Sequence, residues 1–162
     1  MEIESLFGLP AHPLVVHAAV VLLPLGALAT VLTAALPGTR RHYALIALGV
    51  TVAASVAVGL AQGSGEELED RAKETELVEE HTEQGERVLP WAIGLTLISI
   101  GVAGAGWLHR RKPNLSARRV TAVLTVAALL AGAGATWTII DVGHSGAKAT
   151  WDDLPAASED DD

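Results

Sequence analysis

Histidine and carboxylate are the side chains whose types and placement in this chain could do chemistry. His12 and His17 stand in residues 9–24, LPAHPLVVHAAVVLLP, at the mouth of a long apolar run. His81 lies in a polar stretch over residues 63–87, which also carries Glu66, Glu67 and Glu80. His144 follows the last apolar run, three residues past Asp141. A neutral imidazole ligates zinc, copper or iron, and it gives and takes protons near neutral pH. An ionisable group within a membrane-spanning run is by default a functional candidate. Cysteine is absent, which removes disulfides, iron–sulfur clusters and a thiol nucleophile.

The elements that must position these residues follow from hydropathy. The chain has 162 residues, 50% hydrophobic, with mean hydropathy +0.38 and formal net charge -8. Its apolar residues fall into four runs, each near the roughly 20 residues that a bilayer core demands of a helix. None of the runs shows the polar face of a soluble core helix, so lipid is the better solvent for them. The pattern predicts membrane helices over about residues 13–36, 43–62, 88–108 and 120–140. Residues 1–151 then form one four-helix transmembrane domain, and the acidic residues 152–162 form a disordered tail. The N-terminus carries Glu2 and Glu4 and no Lys or Arg. It therefore lacks the basic region of a secretory signal, and the first run reads as a permanent membrane helix.

Local signals refine this. Pro13 suits a first helical turn, with His12 as the N-cap. Pro24 predicts a kink, and Pro37-Gly38 a helix end. Ser64 with Glu67 is a capping box, and a further helical piece is expected after Thr75. Glu67–Arg71 and Glu69–Lys73 are pairs four apart that support a helix over the acidic segment. Rows of small residues should let helices approach closely: Gly49, Ala53 and Ala57; Ser55 and Gly59; Gly101, Gly104, Ala105 and Gly106; Ala128, Gly132 and Gly134. Trp91 and Trp107 suit the two membrane interfaces.

Charge orients the bundle. Arg40, Arg41, Arg110, Arg111, Lys112, Arg118 and Arg119 are seven of the 11 basic residues, and all fall in two connections on one side. The positive-inside rule makes that side cytoplasmic. Both termini and the acidic segment between helices two and three are then extracytoplasmic. His12, His17, His81 and His144 share that outer side, while His42 and His109 lie among the inner arginines.

His12 and His17 are five residues apart, about 140° round a regular helix and roughly 7.5 Å along it. They cannot both bind one ion from a regular helix, so a shared site needs His12 outside it. His17 is expected to face other helices. The functional reading is a polar or metal site of His12, His17 and His81 at the outer mouth, with Glu66, Glu67, Asp141 and His144 as further ligands. A variant is bis-histidine ligation of haem b. The structural reading has His12 capping helix one and His17 hydrogen-bonded to the acidic segment. Adjacent His144 and Ser145 do not make a nucleophile–base pair, and there is no phosphate-binding glycine loop. The basic connection contains no aromatic residue for base stacking, so nucleic acid is not an expected partner.

LPAHPLVVHAAVVLLPLGAL at the start, the acidic segment with Gly65, Glu66 and His81, and a tail with Gly143, Ser145, Gly146, Ala147 and Trp151 resemble a bacterial membrane-protein family of the "domain of unknown function" kind. Actinobacterial members are most similar, and the resemblance covers nearly the whole chain. It implies a four-helix integral membrane protein, sometimes in the context of redox or Rieske-type partners, with no established activity. His12, His17 and His81 match the family pattern. At His144 the resemblance implies varied residues, often Asp.

The sequence therefore predicts an all-α polytopic protein of the plasma membrane: an up-down bundle of four transmembrane helices with an acidic amphipathic cap. The expected function is a non-enzymatic one built on a His/carboxylate site. The alternatives are a haem- or metal-binding redox subunit, and a structural partner of another membrane or redox protein. Beyond the lipid bilayer, no partner is specified.

Overall fold

The computed structural model describes residues 5–6, 9–69, 75–111 and 116–151. Two short pieces, β1 (Ser5–Leu6) and β2 (Leu9–Pro10), pair antiparallel before the first helix. The rest is helical: α1 (Ala11–Ala35), α2 (Pro37–Glu69), α3 (Glu76–Glu86), α4 (Val88–Arg111) and α5 (Ser116–Trp151). Four stretches, 12–35, 42–69, 76–108 and 119–151, are long and apolar enough to cross a membrane. This is the expected all-α polytopic bundle.

The packing is that of helices in lipid. Bulky side chains such as Leu45, Leu130 and Trp137 point outward, with Leu45 76% exposed. Between the helices lie mostly small residues: Ala19, Ala27, Ala54, Ala92, Ala128 and Ala135 are all buried, with Leu23, Leu95 and Val102 filling the wider gaps. Lipid tails are as apolar as leucine, so close backbone approach and interhelical hydrogen bonds do the work that water exclusion does elsewhere. α1 packs along α2 and α5, and α4 packs along α2 and α5. Gly132 of α5 sits on Ala27 of α1, Gly26 of α1 on Thr51 of α2, and Gly101 of α4 on Leu124 of α5. A hydroxyl chain ties α2 to α4: Ser55 bonds Thr96 at 3.0 Å, and Thr96 donates to the Thr51 carbonyl at 3.1 Å. Part of the expected small-residue rows lies elsewhere. Gly49, Gly59 and Gly104 face open space, and Ala53 is exposed.

Helix extents differ from expectation in four places. α1 starts at Ala11, so His12 is inside the helix rather than at its N-cap. α2 begins at Pro37, with only Leu36 between it and α1, so the expected first loop is helical. Proline's fixed φ and missing N–H suit it to open a helix rather than only to end one. α2 also continues past Gln62 to Glu69, and α5 past Ile140 to Trp151. A helical glycine costs only about 1 kcal/mol against alanine, and contacts on these turns offset that. Ser64 accordingly caps nothing: its hydroxyl donates to the Ala61 carbonyl one turn back, at 3.1 Å. Thr75 does cap α3, accepting the Val78 amide at 3.3 Å. The partners Arg71 and Lys73, the break at Pro113-Asn114 and the tail 152–162 lie outside the described residues, as do the side chains of Arg41, His109, Arg110, Arg111, Lys112 and Arg118.

α2 and α5, at 33 and 36 residues, are each about 50 Å long at 1.5 Å per residue. A bilayer core is ~30 Å thick. The excess turns carry polar residues: Glu66, Glu67 and Glu69 on α2, and Asp141, His144 and Lys148 on α5. They build a cap with α3 at the end of the bundle where α1 starts. Trp91 of α4 packs on Gly134 of α5.

Candidate functional site: a histidine-lined mouth

The start of α1, the end of α2, α3 and the end of α5 enclose a cavity of about 580 Å³. His12, His17 and His81 all line it. Its walls are largely apolar, including Val16, Val58, Val78, Val88, Ile139 and Val142, with Glu66, Glu69 and Glu86 among the polar groups.

Each imidazole is fixed through Nδ1. His12 Nδ1 lies 3.1 Å from the Ala61 carbonyl oxygen and 3.0 Å from Ser64 Oγ, reaching across from α1 to α2. A carbonyl only accepts, so this nitrogen carries the proton. His17 Nδ1 lies 2.6 Å from the Pro13 carbonyl on its own helix, which fixes the same tautomer. His81 Nδ1 lies 3.1 Å from Ser145 Oγ, and Ser145 donates its own proton to the Val142 carbonyl at 3.0 Å. The serine therefore accepts from Nδ1–H of His81. With the proton on Nδ1, the neutral rings keep a lone pair on Nε2, and the Val142 backbone carbonyl is a further hydrogen-bond partner of the His81 ring.

Two glycines make room for two of these rings. A Cβ at Gly65 would stand 3.2 Å from His12 Cε1, and one at Gly146 would stand 2.9 Å from His81 Cε1. His12 and His81 are also near enough for their charges to interact. The cap is held by two further bonds: Gln62 donates to the Gly85 carbonyl at 2.8 Å, and Thr82 to Glu69 Oε1 at 3.2 Å.

The structure thus brings His12, His17, His81 and Glu66 to one cavity. Glu67, Asp141 and His144 do not line it, and Asp141 and His144 are exposed. His17 is more exposed than a bundle-facing position suggests, looking into the open cavity from one turn below His12. Among the described residues no group of three or more His, Asp or Glu is gathered closely enough to hold a metal ion by itself.

Residues 8–155 match the family model described as predicted membrane protein (DUF2231). The chain belongs to this family. No curated protein and no solved structure matches it. Membership bears out the expected membrane protein of unknown function, and it leaves the chemistry of a DUF2231 protein to be argued from the site itself.

Ser64, Gly65, Ser145 and Gly146 were not candidates from sequence, nor were Glu69 and Glu86. A signal for the first four was present: a Ser-Gly step occurs in Gly63-Ser64-Gly65 and again in Gly143-His144-Ser145-Gly146. Ser64 reads in sequence as a helix cap with Glu67, and Ser145 falls past the last expected helix, which hid them.

Proposed function

We propose that this protein is a non-enzymatic integral membrane protein that binds a cation, or a neutral ligand rich in N–H and O–H donors, in the histidine-lined mouth. One observation carries this reading: the lining offers acceptors and almost no donors. Three imidazoles have Nδ1 occupied and Nε2 left as a lone pair, and three glutamates join them. Among the described residues no lysine or arginine lines the cavity. The Thr82 hydroxyl already donates to Glu69, and the Thr150 hydroxyl to the carbonyl one turn back. Among the described lining residues an anion would meet carboxylates with no basic partner, whereas a cation would meet attraction and acceptor lone pairs.

Haem b is the competing reading, because two imidazoles with free Nε2 and an apolar cavity of this size favour it as well. It is the weaker one, since among the described residues the haem carboxylates would meet Glu66, Glu69 and Glu86 and no base. The mouth is assigned to the extracytoplasmic side by the seven basic residues concentrated at the other end.

Thermal unfolding of the purified protein in lipid nanodiscs tests the ligand class. Zinc or tetraethylammonium should raise the midpoint, while phosphate and succinate should not. Stabilisation by the anions alone, or a Soret band in the protein as purified, overturns the reading. The absence of cysteine gives a clean background for topology. Asp141→Cys should react with an impermeant maleimide on intact cells, and Thr39→Cys only after lysis.

A further inference from the structure

The two ring fixtures are copies of one another. In the first, His12 Nδ1 meets Ser64 at 3.0 Å, Ser64 donates to the carbonyl three residues back at 3.1 Å, and the ring lies over the next residue, Gly65. In the second, His81 Nδ1 meets Ser145 at 3.1 Å, Ser145 donates to the carbonyl three residues back at 3.0 Å, and the ring lies over Gly146. One fixture joins α1 to α2, and the other joins α3 to α5. A histidine serving only as a staple has no need of a free second nitrogen, and a partly buried polar atom ordinarily finds a partner. Here both rings are held by Nδ1, which leaves a lone pair on Nε2, and both line the same cavity.

That is the state in which metal-binding histidines are held. The second ring N–H is given to a hydroxyl or carbonyl, which fixes the tautomer and aims the other nitrogen. We infer that His12 and His81 are the two protein ligands of one transition-metal ion of the zinc, copper, iron or nickel group, bound between α1 and α3 through their Nε2 atoms. Imidazole suits these ions. With no third protein ligand gathered there among the described residues, the remaining positions are open to water or to a second ligand. His17 lines the same cavity without a serine clasp and is not part of the pair.

The ion would also join two elements that otherwise pack little. α3 has no buried residue and rests mainly on α5, with smaller contacts to α2 and α4. A bridge from His12 to His81 ties this cap to the start of α1.

The inference rests on the cation reading above, and copper titration followed by electron paramagnetic resonance tests it separately. In nanodiscs the intact protein should bind one equivalent of Cu²⁺ with two imidazole nitrogens in its hyperfine pattern. His12→Ala and His81→Ala should each leave one nitrogen and weaken binding at least about 10-fold, while His17→Ala should leave two. Ser64→Ala and Ser145→Ala should keep both nitrogens and weaken binding about 10-fold, as loss of an outer-shell partner does. These serine variants keep the test open if a histidine variant fails to fold. An unchanged nitrogen count in both histidine variants overturns the inference, as does unchanged affinity in both serine variants. Tetraethylammonium binding without nitrogen-bound copper overturns the metal site and leaves the cation reading standing. Failure of both probes overturns both.

Discussion

The two mouths of the bundle solve the same local problem in opposite ways. At one, Arg40 of α2 lies only 7% exposed. Its Nε donates to the Thr33 carbonyl at 3.1 Å, one terminal nitrogen to the Ala34 carbonyl, and the other to Thr121 Oγ1 of α5 at 3.1 Å. Its stem lies on Gly106 of α4. The guanidinium therefore meets the last carbonyls of α1, where the helix dipole favours a cation, and it fastens all four long helices. At the other mouth, polar rings again lie over glycines on neighbouring helices and again bond to carbonyls and hydroxyls. There one nitrogen of each ring is left over, and it borders a cavity. A polar group whose bonding capacity is spent inside the protein holds the fold together. One fixed by half of its capacity is prepared for something else.

This contrast can be broken most forcefully at Arg40. Arg40→Met should remove three charge-assisted bonds and lower unfolding stability by about 2–4 kcal/mol, measured by chemical unfolding in detergent micelles. His12→Ala combined with His81→Ala should cost less than that in the absence of ligand. If the double histidine variant is the less stable of the two, the histidine mouth is a structural lock as well, and the distinction is lost.

A smaller effect is expected from space. Gly146→Val should push the His81 ring from its seat and weaken cation binding by more than about 10-fold, with a stability loss of about 1–3 kcal/mol from overpacking. Gly143→Ala is the control, because nothing lies within 4 Å of a Cβ there. Isothermal titration with zinc reads both. Equal losses in the two would mean that α5 responds to any added side chain and that the ring seat is not special.

Ser145→Ala should cost about 1 kcal/mol of stability, the net worth of one such hydrogen bond, and Ser64→Ala the same. Thermal midpoints of the two variants should then agree, since their bonds are equivalent. A large difference would show that the two fixtures are not copies in energy. The smallest effects belong to Asp141→Asn and His144→Ala, which are exposed and away from the cavity. Both should leave zinc affinity within about 2-fold of the parent, and a clear loss in either would extend the site along α5.

What the sequence alone determined was the class of the molecule and the end of the bundle at which three histidines gather. Runs of apolar residues without a polar face can only be helices in lipid, because every backbone amide must be bonded within its own segment. Grouping of His12, His17 and His81 at one mouth followed from an even number of spans. Those features are one-dimensional: they depend on run length and order. The family model over residues 8–155 agrees with that membrane class.

Only the tertiary structure decided which nitrogen of each histidine is free, and which residues decide it. Ser64 lies 52 positions from His12, and Ser145 lies 64 from His81. Nothing in the local pattern joins such pairs. The glycines that seat the rings read in sequence as ends of helices, because the intrinsic cost of a helical glycine is visible there and the contact that offsets it is not. For the same reason Arg40 reads as one of several loop cations. Its burial depends on Pro37 opening α2 immediately after α1, which swings the side chain back onto carbonyls that α1 leaves unpaired.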